Sequence, residues 1–96
     1  MYFTYIIRCK DNSLYTGYTT DIKRRIEEHK KGINSKYMRA KGFKNLEIYF
    51  KTSSKSNAMK LEIYIKKLSR KQKLDIIESP TNFLSNLKNG KEYFIE

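Results

Sequence analysis

The chain has 96 residues, 39% of them hydrophobic and 14% aromatic, which suits one compact domain with a modest core and excludes two. A lone cysteine excludes an internal disulfide, and no apolar run approaches the ~20 residues of a transmembrane helix, so we expect a cytoplasmic protein without a signal peptide. The net charge of +11 favours nucleic acid as the partner because phosphate contacts release counterions; a solvated basic surface or attraction to anionic lipid is the alternative.

The chain begins with a predicted hairpin. Residues 2–9 (YFTYIIRC) are rich in aromatic and β-branched side chains, residues 10–13 (KDNS) are typical of a turn, and residues 14–19 (LYTGYT) again favour a strand. Two such segments around a short polar turn indicate an antiparallel strand pair.

A helix follows the hairpin. Thr20 or Asp21 can accept hydrogen bonds from its first free amides, and Gly32 favours its end. At 100° per residue, Arg25 and His29 lie beside the apolar stripe of this helix. Two polar side chains are therefore expected to border its buried face.

The rest of the chain predicts one more strand and two more helices. Residues 33–43 indicate a basic loop with a short helical turn at most, and residues 46–51 a third strand. Helices are predicted from a serine at 53–56 to Leu68 and from Ser69 to about Ile77. The resulting order is β-β-α-β-α-α in an α/β (α+β) fold, with a core of about 2–77 and residues 78–96 as an extension packing on it.

Five side chains along this fold could carry chemistry. Taken singly, each has an ordinary structural role: tyrosines in strands pack, a lone histidine borders a core, an arginine lies at the surface, and a glutamate pairs with the lysine one turn on. Together they form the candidate site: Tyr5, Tyr15, Arg25, His29 and Glu62.

These spacings resemble the GIY-YIG nuclease family. Phe3-Thr4-Tyr5 and Tyr15-Thr16-Gly17 stand where its two namesake triplets stand. The segments YIIRCKDNSLYTGYTTDIKRRIEEH, KYMRA and EIYIKKLSRKQK, in this order, are similar to its small stand-alone, UPF0213-like branch. The resemblance covers residues 2 to about 77, and residues 1–96 are expected to form a single GIY-YIG domain.

The resemblance implies a three-stranded antiparallel sheet flanked by helices, and a phosphodiester hydrolase that depends on Mg²⁺ or Mn²⁺. Glu62 would be the metal ligand, with water and substrate phosphate filling most other positions. Arg25 would donate to the phosphate oxygens. The proton of the attacking water would go to Tyr5, Tyr15 or His29; a tyrosine would need its pKa lowered by nearby cations, whereas an ordinary histidine pKa already suits the task. The residues leave that choice open.

A second set of residues is expected to contact the substrate. Gly17 would adopt positive φ or let a phosphate approach closely, and Tyr37 would stack on a base within a basic loop. The predicted substrate-binding residues are Gly17, Tyr18, Lys36, Tyr37, Arg39 and Lys66. Three departures from the family pattern affect specificity: the first triplet lacks its glycine and isoleucine, Tyr18 stands where some repair-type members have lysine, and a late asparagine has only Asn82 as a counterpart.

The predicted function is a monomeric, metal-dependent DNA endonuclease that leaves 5′-phosphate and 3′-hydroxyl ends, possible roles being DNA repair or recombination. DNA is expected in preference to RNA, and selection of a structure or a single strand in preference to a sequence, because no base-reading module is evident. The rival is a non-catalytic nucleic-acid-binding module with the same fold, and a third reading is a basic structural domain that acts within a larger assembly. The rival would bind with steep salt dependence and cut nothing.

Overall fold

The computed structural model describes residues 1–95; Glu96, the last residue of the predicted extension, lies outside this range. The elements follow the predicted order, with additions after α1 and at the C-terminal end. They are β1 (Tyr2–Cys9), β2 (Leu14–Thr19), α1 (Ile22–Lys31), α2 (Lys36–Lys41), β3 (Phe43–Thr52), α3 (Lys55–Lys66), α4 (Arg70–Glu78), α5 (Pro80–Ser85), a 3₁₀ turn (Gly90–Glu92) and β4 (Phe94–Ile95).

The strands form one antiparallel sheet in the order β2-β1-β3-β4. The α/β architecture is therefore confirmed, but the sheet has four strands where three were predicted. The fourth, β4, pairs Phe94 with Lys51 and Ile95 with Phe50 of β3. A strand of two residues is too short to carry a period in the sequence, which is why the prediction missed it.

Alternation along β1 divides the core between the two faces of the sheet. The α3 face carries Ile6 and Phe50, which pack on Leu61 and Ile65 of α3 and on Ile76 of α4. The α1 face is the other side. Its cluster consists of Tyr5, Ile7, Cys9 and Met38, with α1 packing through Ile22 and Ile26.

Helix ends follow the capping chemistry of the sequence. The Asp21 side chain accepts from the Arg24 amide at 3.0 Å and starts α1, and Gly32, with φ of 69°, ends it in the left-handed region. Ser69 and Gln72 cap α4 reciprocally. No helix within residues 1–95 is long and apolar enough to span a bilayer.

Two predicted segments differ from the structure. The basic loop contains a helix of six residues, α2, because the Ser35 hydroxyl accepts from the Met38 amide and Met38 is buried against β1. Helix α3 ends at Lys66, before the predicted Leu68, and the chain turns into α4 there. In the C-terminal segment, Tyr93 is buried and its hydroxyl donates to the Asn57 carbonyl at 2.9 Å, which attaches this segment to α3.

Candidate active site

The centre of the candidate site is a contact between β1 and α1. The Tyr5 hydroxyl lies 2.8 Å from His29 Nε2, and each residue is only 1% exposed. His29 was expected at the border of the core. It is instead fully buried. Helix α1 packs on the sheet, and helix α2, which contacts α1, adds Met38 to the same cluster. Burial of an imidazole next to a phenol creates a polar pair within an otherwise apolar layer.

Gly17 makes room for this pair. It lies opposite Tyr5 in the β1–β2 register, and a Cβ built on it would be 2.4 Å from the Tyr5 Oη and 2.6 Å from Cζ. The expectation of positive φ was wrong, since only Gly32 and Gly42 among the glycines have it. The group that approaches Gly17 closely is the Tyr5 phenol, and Gly17 itself is buried. The lack of a side chain at Gly17 therefore leaves the space that the Tyr5 phenol occupies.

Arg25 is held beside the pair by two residues that sequence reasoning missed. Its Nη1 donates to Glu28 Oε1 at 2.9 Å and its Nη2 to the Asn34 carbonyl at 3.0 Å. Asn34 Nδ2 in turn donates to Glu28 Oε2 at 3.1 Å. The spacing of Arg25 and Glu28, three residues apart on a helix, was a signal for this pair. Asn34 gave none, because it reaches the site only after the chain has turned at Gly32.

The pKa values of the pair are moved in opposite directions. Burial raises the pKa of the Tyr5 hydroxyl to about 12; the neighbouring Arg25 guanidinium opposes that rise, while the charges of Tyr15 and Glu62 add to it. Burial, followed by the charge of Arg25, lowers the pKa of His29 to about 4. The lowered tyrosine pKa that a base role requires is thus not found at Tyr5. His29 is neutral at neutral pH, where its Nε2 can accept a hydrogen bond from Tyr5, although the lowered pKa makes the ring a weaker base than an ordinary histidine.

Tyr15 and Tyr37 extend the aromatic layer outward. The Tyr15 ring is edge-on to His29 with centroids 5.6 Å apart, and the Tyr37 ring lies 5.1 Å from Tyr15 at an interplanar angle of 30°. The Tyr37 hydroxyl donates to Ser13 Oγ at 3.2 Å, which ties α2 to the first hairpin. Tyr37 is 39% exposed, so it retains free surface next to Tyr15.

Glu62 approaches the site from the other side of the sheet. Its helix, α3, packs against β1 and β2 on the α3 face, and its charge acts on the Tyr5 hydroxyl. β2 is an edge strand of the sheet, and Tyr5, on whose hydroxyl Glu62 acts, lies opposite Gly17 of that strand. Glu62 pairs with Lys66 at 3.3 Å, and the side chain of Lys66 is 53% exposed.

The remaining substrate candidates divide between the two faces. Lys36 and Arg39 are exposed on α2, near Tyr37. Tyr18 alternates with Gly17 and is half-buried on the α3 face, the same face as Lys66. These residues therefore do not form one patch; they lie on both sides of the β2 edge.

The donor set suits a metal that needs few protein ligands. No group of three or more His, Cys, Asp or Glu side chains that could hold a metal is found within residues 1–95. Glu62, with 20% of its side chain exposed, offers carboxylate oxygens close enough for its charge to act on the Tyr5 hydroxyl. Mg²⁺ retains several waters and takes one or two carboxylates together with substrate phosphate, so a single glutamate fits this ion.

Comparisons with known proteins show the family to which the chain belongs. The family model described as the GIY-YIG catalytic domain matches residues 1–75. A UPF0213 protein of Clostridium perfringens is 44% identical over 79 residues, covering 82% of this chain and 85% of the relative. One from Staphylococcus haemolyticus is 48% identical over 77 residues, covering 80% and 94%. The solution NMR structure of a UPF0213 protein from Bacillus halodurans, 43% identical, superposes with a TM-score of 0.54 over 81% of this chain and 84% of that one. The chain therefore belongs to the GIY-YIG nuclease family, within its UPF0213 branch.

Proposed function

We propose that this chain is a monomeric, cytoplasmic endonuclease, a single domain of residues 1–96, that hydrolyses DNA phosphodiester bonds with a divalent cation, Mg²⁺ or Mn²⁺. The observation that carries the proposal is the convergence on one hydroxyl: Tyr5 Oη contacts His29 Nε2, and the charges of Arg25, Tyr15 and Glu62 all act on it. Residues distant in the sequence, on two strands and two helices, thus share one site. Family membership and the +11 charge support a nucleic-acid substrate.

Arg25 is assigned to the scissile phosphate. Its two terminal nitrogens are held by Glu28 and Asn34, which orients the planar guanidinium while leaving some of its five N–H donors for phosphate oxygens. Preorganised donors of this kind stabilise the charge that develops in the transition state. Glu28 and Asn34 are positioning residues in this assignment.

Tyr5 and His29 are assigned to the proton. His29 is neutral and its Nε2 can accept the Tyr5 proton, so the Tyr5 oxygen can take the proton of an attacking water as its own passes to the imidazole. This relay does not require a free tyrosinate, which the raised pKa of Tyr5 disfavours. Tyr15, half-buried next to both rings, is assigned to orient the water.

Glu62 is assigned to the metal. A cation bound there would supply charge neutralisation at the phosphate, and the weak, exposed pair with Lys66 would open to allow it. The substrate residues on both sides of the β2 edge favour a strand that crosses this edge and is held by its backbone. Selection of single-stranded or branched DNA follows from such contacts, because none of them reads a base edge in a groove.

The test is cleavage of end-labelled single-stranded, duplex and branched DNA, and of RNA of the same sequence, in Mg²⁺, Mn²⁺ or EDTA. Metal-dependent cutting is expected, and Glu62→Gln and Arg25→Ala should each lower it by about 10²–10³-fold. Arg70→Ala is the matched control, since that arginine is exposed at the start of α4 and, within residues 1–95, makes no contact with the site residues. Cutting that survives in both site variants would overturn the assignment. Salt-sensitive binding without cutting in any metal would support the binding-module alternative.

A further inference from the structure

A cavity of about 230 Å³ lies next to the candidate active site, at the C-terminal end of α1. Its walls come from the end of β1, the end of α1, helix α2 and the start of β3. The lining includes no acidic residue. Its charged members are all basic: Lys10, Lys30, Lys31 and Arg39. Such a lining favours an anion.

The cavity also contacts the buried histidine. His29 lines it, and while Nε2 of the ring is engaged by Tyr5, Nδ1 has no hydrogen-bond partner among residues 1–95. His29 is 99% buried and Nδ1 itself has almost no accessible surface, so the unpaired ring nitrogen destabilises the fold as long as no group reaches it. A ligand that accepts a hydrogen bond from Nδ1–H would remove this destabilisation.

The basic residues are mostly uncompensated. Lys30 pairs with Glu27 at 3.2 Å, but Lys10, Lys31 and Arg39 form no ion pair within the described part of the chain. A position near the C-terminal end of α1 accounts for Lys30 and Lys31, since cations are stabilised there. It does not account for Lys10 and Arg39, which enter from the turn after β1 and from α2.

The chain backbone brings these two residues close to the cavity. The Lys10 stem lies against Gly42, where a Cβ would be 2.8 Å from Lys10 Cδ, and Arg39 lies against Gly32. The amides of both glycines are already bonded, to the carbonyls of Met38 and His29. An anion in the cavity would therefore be bound by side chains and not by these two backbone amides. Lys and Arg side chains form strong, charge-assisted hydrogen bonds with phosphate.

We propose that this cavity is a phosphate-binding site, separate from the scissile-phosphate site and connected to it through the His29 ring. Its volume is below the ~300–1,000 Å³ of pockets for larger ligands, so a single phosphate group is the occupant. The phosphate belongs either to a nucleic-acid strand or to a free small molecule. Binding itself does not depend on nuclease activity.

The consequence for the active site rests on the proposed function. When Nδ1–H donates to the bound phosphate, Nε2 is left as the acceptor, and the Tyr5 hydroxyl must donate to it. The second site would thus set the imidazole tautomer that the proton relay needs. When substrate occupies both sites, His29 would be held in the tautomer that the relay needs. When substrate occupies the scissile-phosphate site alone, it would not be.

The test uses NMR of the single histidine, which is His29 and gives unambiguous ring ¹⁵N signals. The full chain is titrated with inorganic phosphate, and with chloride at equal ionic strength. A saturable shift of the Nδ1 signal with phosphate alone is expected, weakened about tenfold in affinity by Lys10→Gln or Lys31→Gln. Lys71→Gln carries the same charge change on α4, outside the cavity, where the side chain is 87% exposed, and should bind as the parent chain does.

Two outcomes would overturn the proposal: a shift that chloride reproduces or that never saturates, and equal weakening by Lys71→Gln. Short oligonucleotides with and without a 5′-phosphate then identify the source. Competition by an unphosphorylated strand supports a backbone diester, whereas competition by terminal or free phosphate alone supports a phosphate monoester. No arm uses cleavage, so failure of the proposed function and failure of this site are distinguishable.

Discussion

The two faces of the sheet are built for different purposes. On the α3 face, the buried cluster is apolar, and its one phenol, Tyr93, has its hydroxyl bonded to the Asn57 carbonyl. On the α1 face, the buried layer contains Tyr5 and His29 with a ring nitrogen left without a partner. The first arrangement is mostly apolar, and the polar atom it leaves buried without a partner among residues 1–95 is a neutral hydroxyl, Thr16 Oγ1, which lies on the same face as its strand partner Ile6. The second lowers stability, because a ring nitrogen is buried without a partner, but it holds two titratable groups in a fixed geometry. Such an arrangement is typical of a functional site.

The contrast should be largest for truncation of the fully buried Phe50. Phe50→Ala leaves a cavity on the α3 face and should lower the free energy of unfolding by about 3–5 kcal/mol. Tyr5→Phe on the α1 face is a smaller change, which removes only a hydroxyl and should cost about 1 kcal/mol while abolishing most cleavage. Urea unfolding and the cleavage assay measure the two effects. Equal stability losses would remove the distinction between the faces.

Acid should weaken the α1 face through His29. Its pKa falls from 6.5 to about 4 on folding, because of burial and the charge of Arg25, which Glu28 partly offsets. As pH drops from 6.5 to 4, the unfolded chain binds a proton that the folded chain does not, so the free energy of unfolding decreases. At ~1.4 kcal/mol per pKa unit, the loss attributable to His29 is at most about 3.5 kcal/mol.

Denaturant unfolding of the parent chain and of His29→Gln, at intervals from pH 7 to 4, tests this effect. The variant should lose less stability across that window. Parallel curves would contradict it. Asp11, whose carboxyl pKa is lowered by hydrogen bonds from Ser13, does not act on His29, so it contributes equally to both proteins and cancels in the difference.

Gly17→Ala should disturb the α1 face from the edge strand. The added Cβ meets the Tyr5 phenol at 2.4 Å, so Tyr5 must move away from His29, at a cost of about 1–3 kcal/mol and with loss of cleavage. Combining Gly17→Ala with Tyr5→Ala should cost less than the sum of the two single changes. Thermal unfolding of the four proteins in this cycle measures the coupling. Additive costs would show that the contact does not position Tyr5.

The smallest effect is expected for Lys66, which pairs with Glu62 on the surface of α3. Lys66→Ala should change stability by no more than ~0.5 kcal/mol, because the side chain is 53% exposed. Its effect on substrate affinity should be larger than its effect on folding, and a KM measured with single-stranded DNA tests this. An unchanged KM would remove Lys66 from the substrate residues.

Local sequence patterns predicted the regular elements well. The two strands of the hairpin, the start of α1 at Asp21 and its end at Gly32 all follow from neighbouring residues, since alternation and capping act over a few positions. The resemblance to a known family brought five site candidates together, and the structure places them around one hydroxyl. Their roles stay predictions.

Other features could not be predicted locally. Helix α2 is stabilised by burial of Met38 against β1. Strand β4 forms only because the end of the chain returns to pair with β3. The Glu28 and Asn34 contacts that orient Arg25 form only after the turn at Gly32. Each is a consequence of packing between distant segments, which no local pattern contains.

The sequence by itself determined the strand and helix periods, the caps, the charge and the identity of the candidate residues, because these are properties of short segments and of composition. Only the tertiary structure decided that His29 is buried, with Nε2 hydrogen-bonded to the Tyr5 hydroxyl and Nδ1 unpaired. It also decided that the space beside Gly17 is occupied by the Tyr5 phenol. The physical reason is that burial, hydrogen-bond pairing and pKa depend on which surfaces the folded chain brings into contact, and those surfaces are 12 to 24 residues apart in the sequence here.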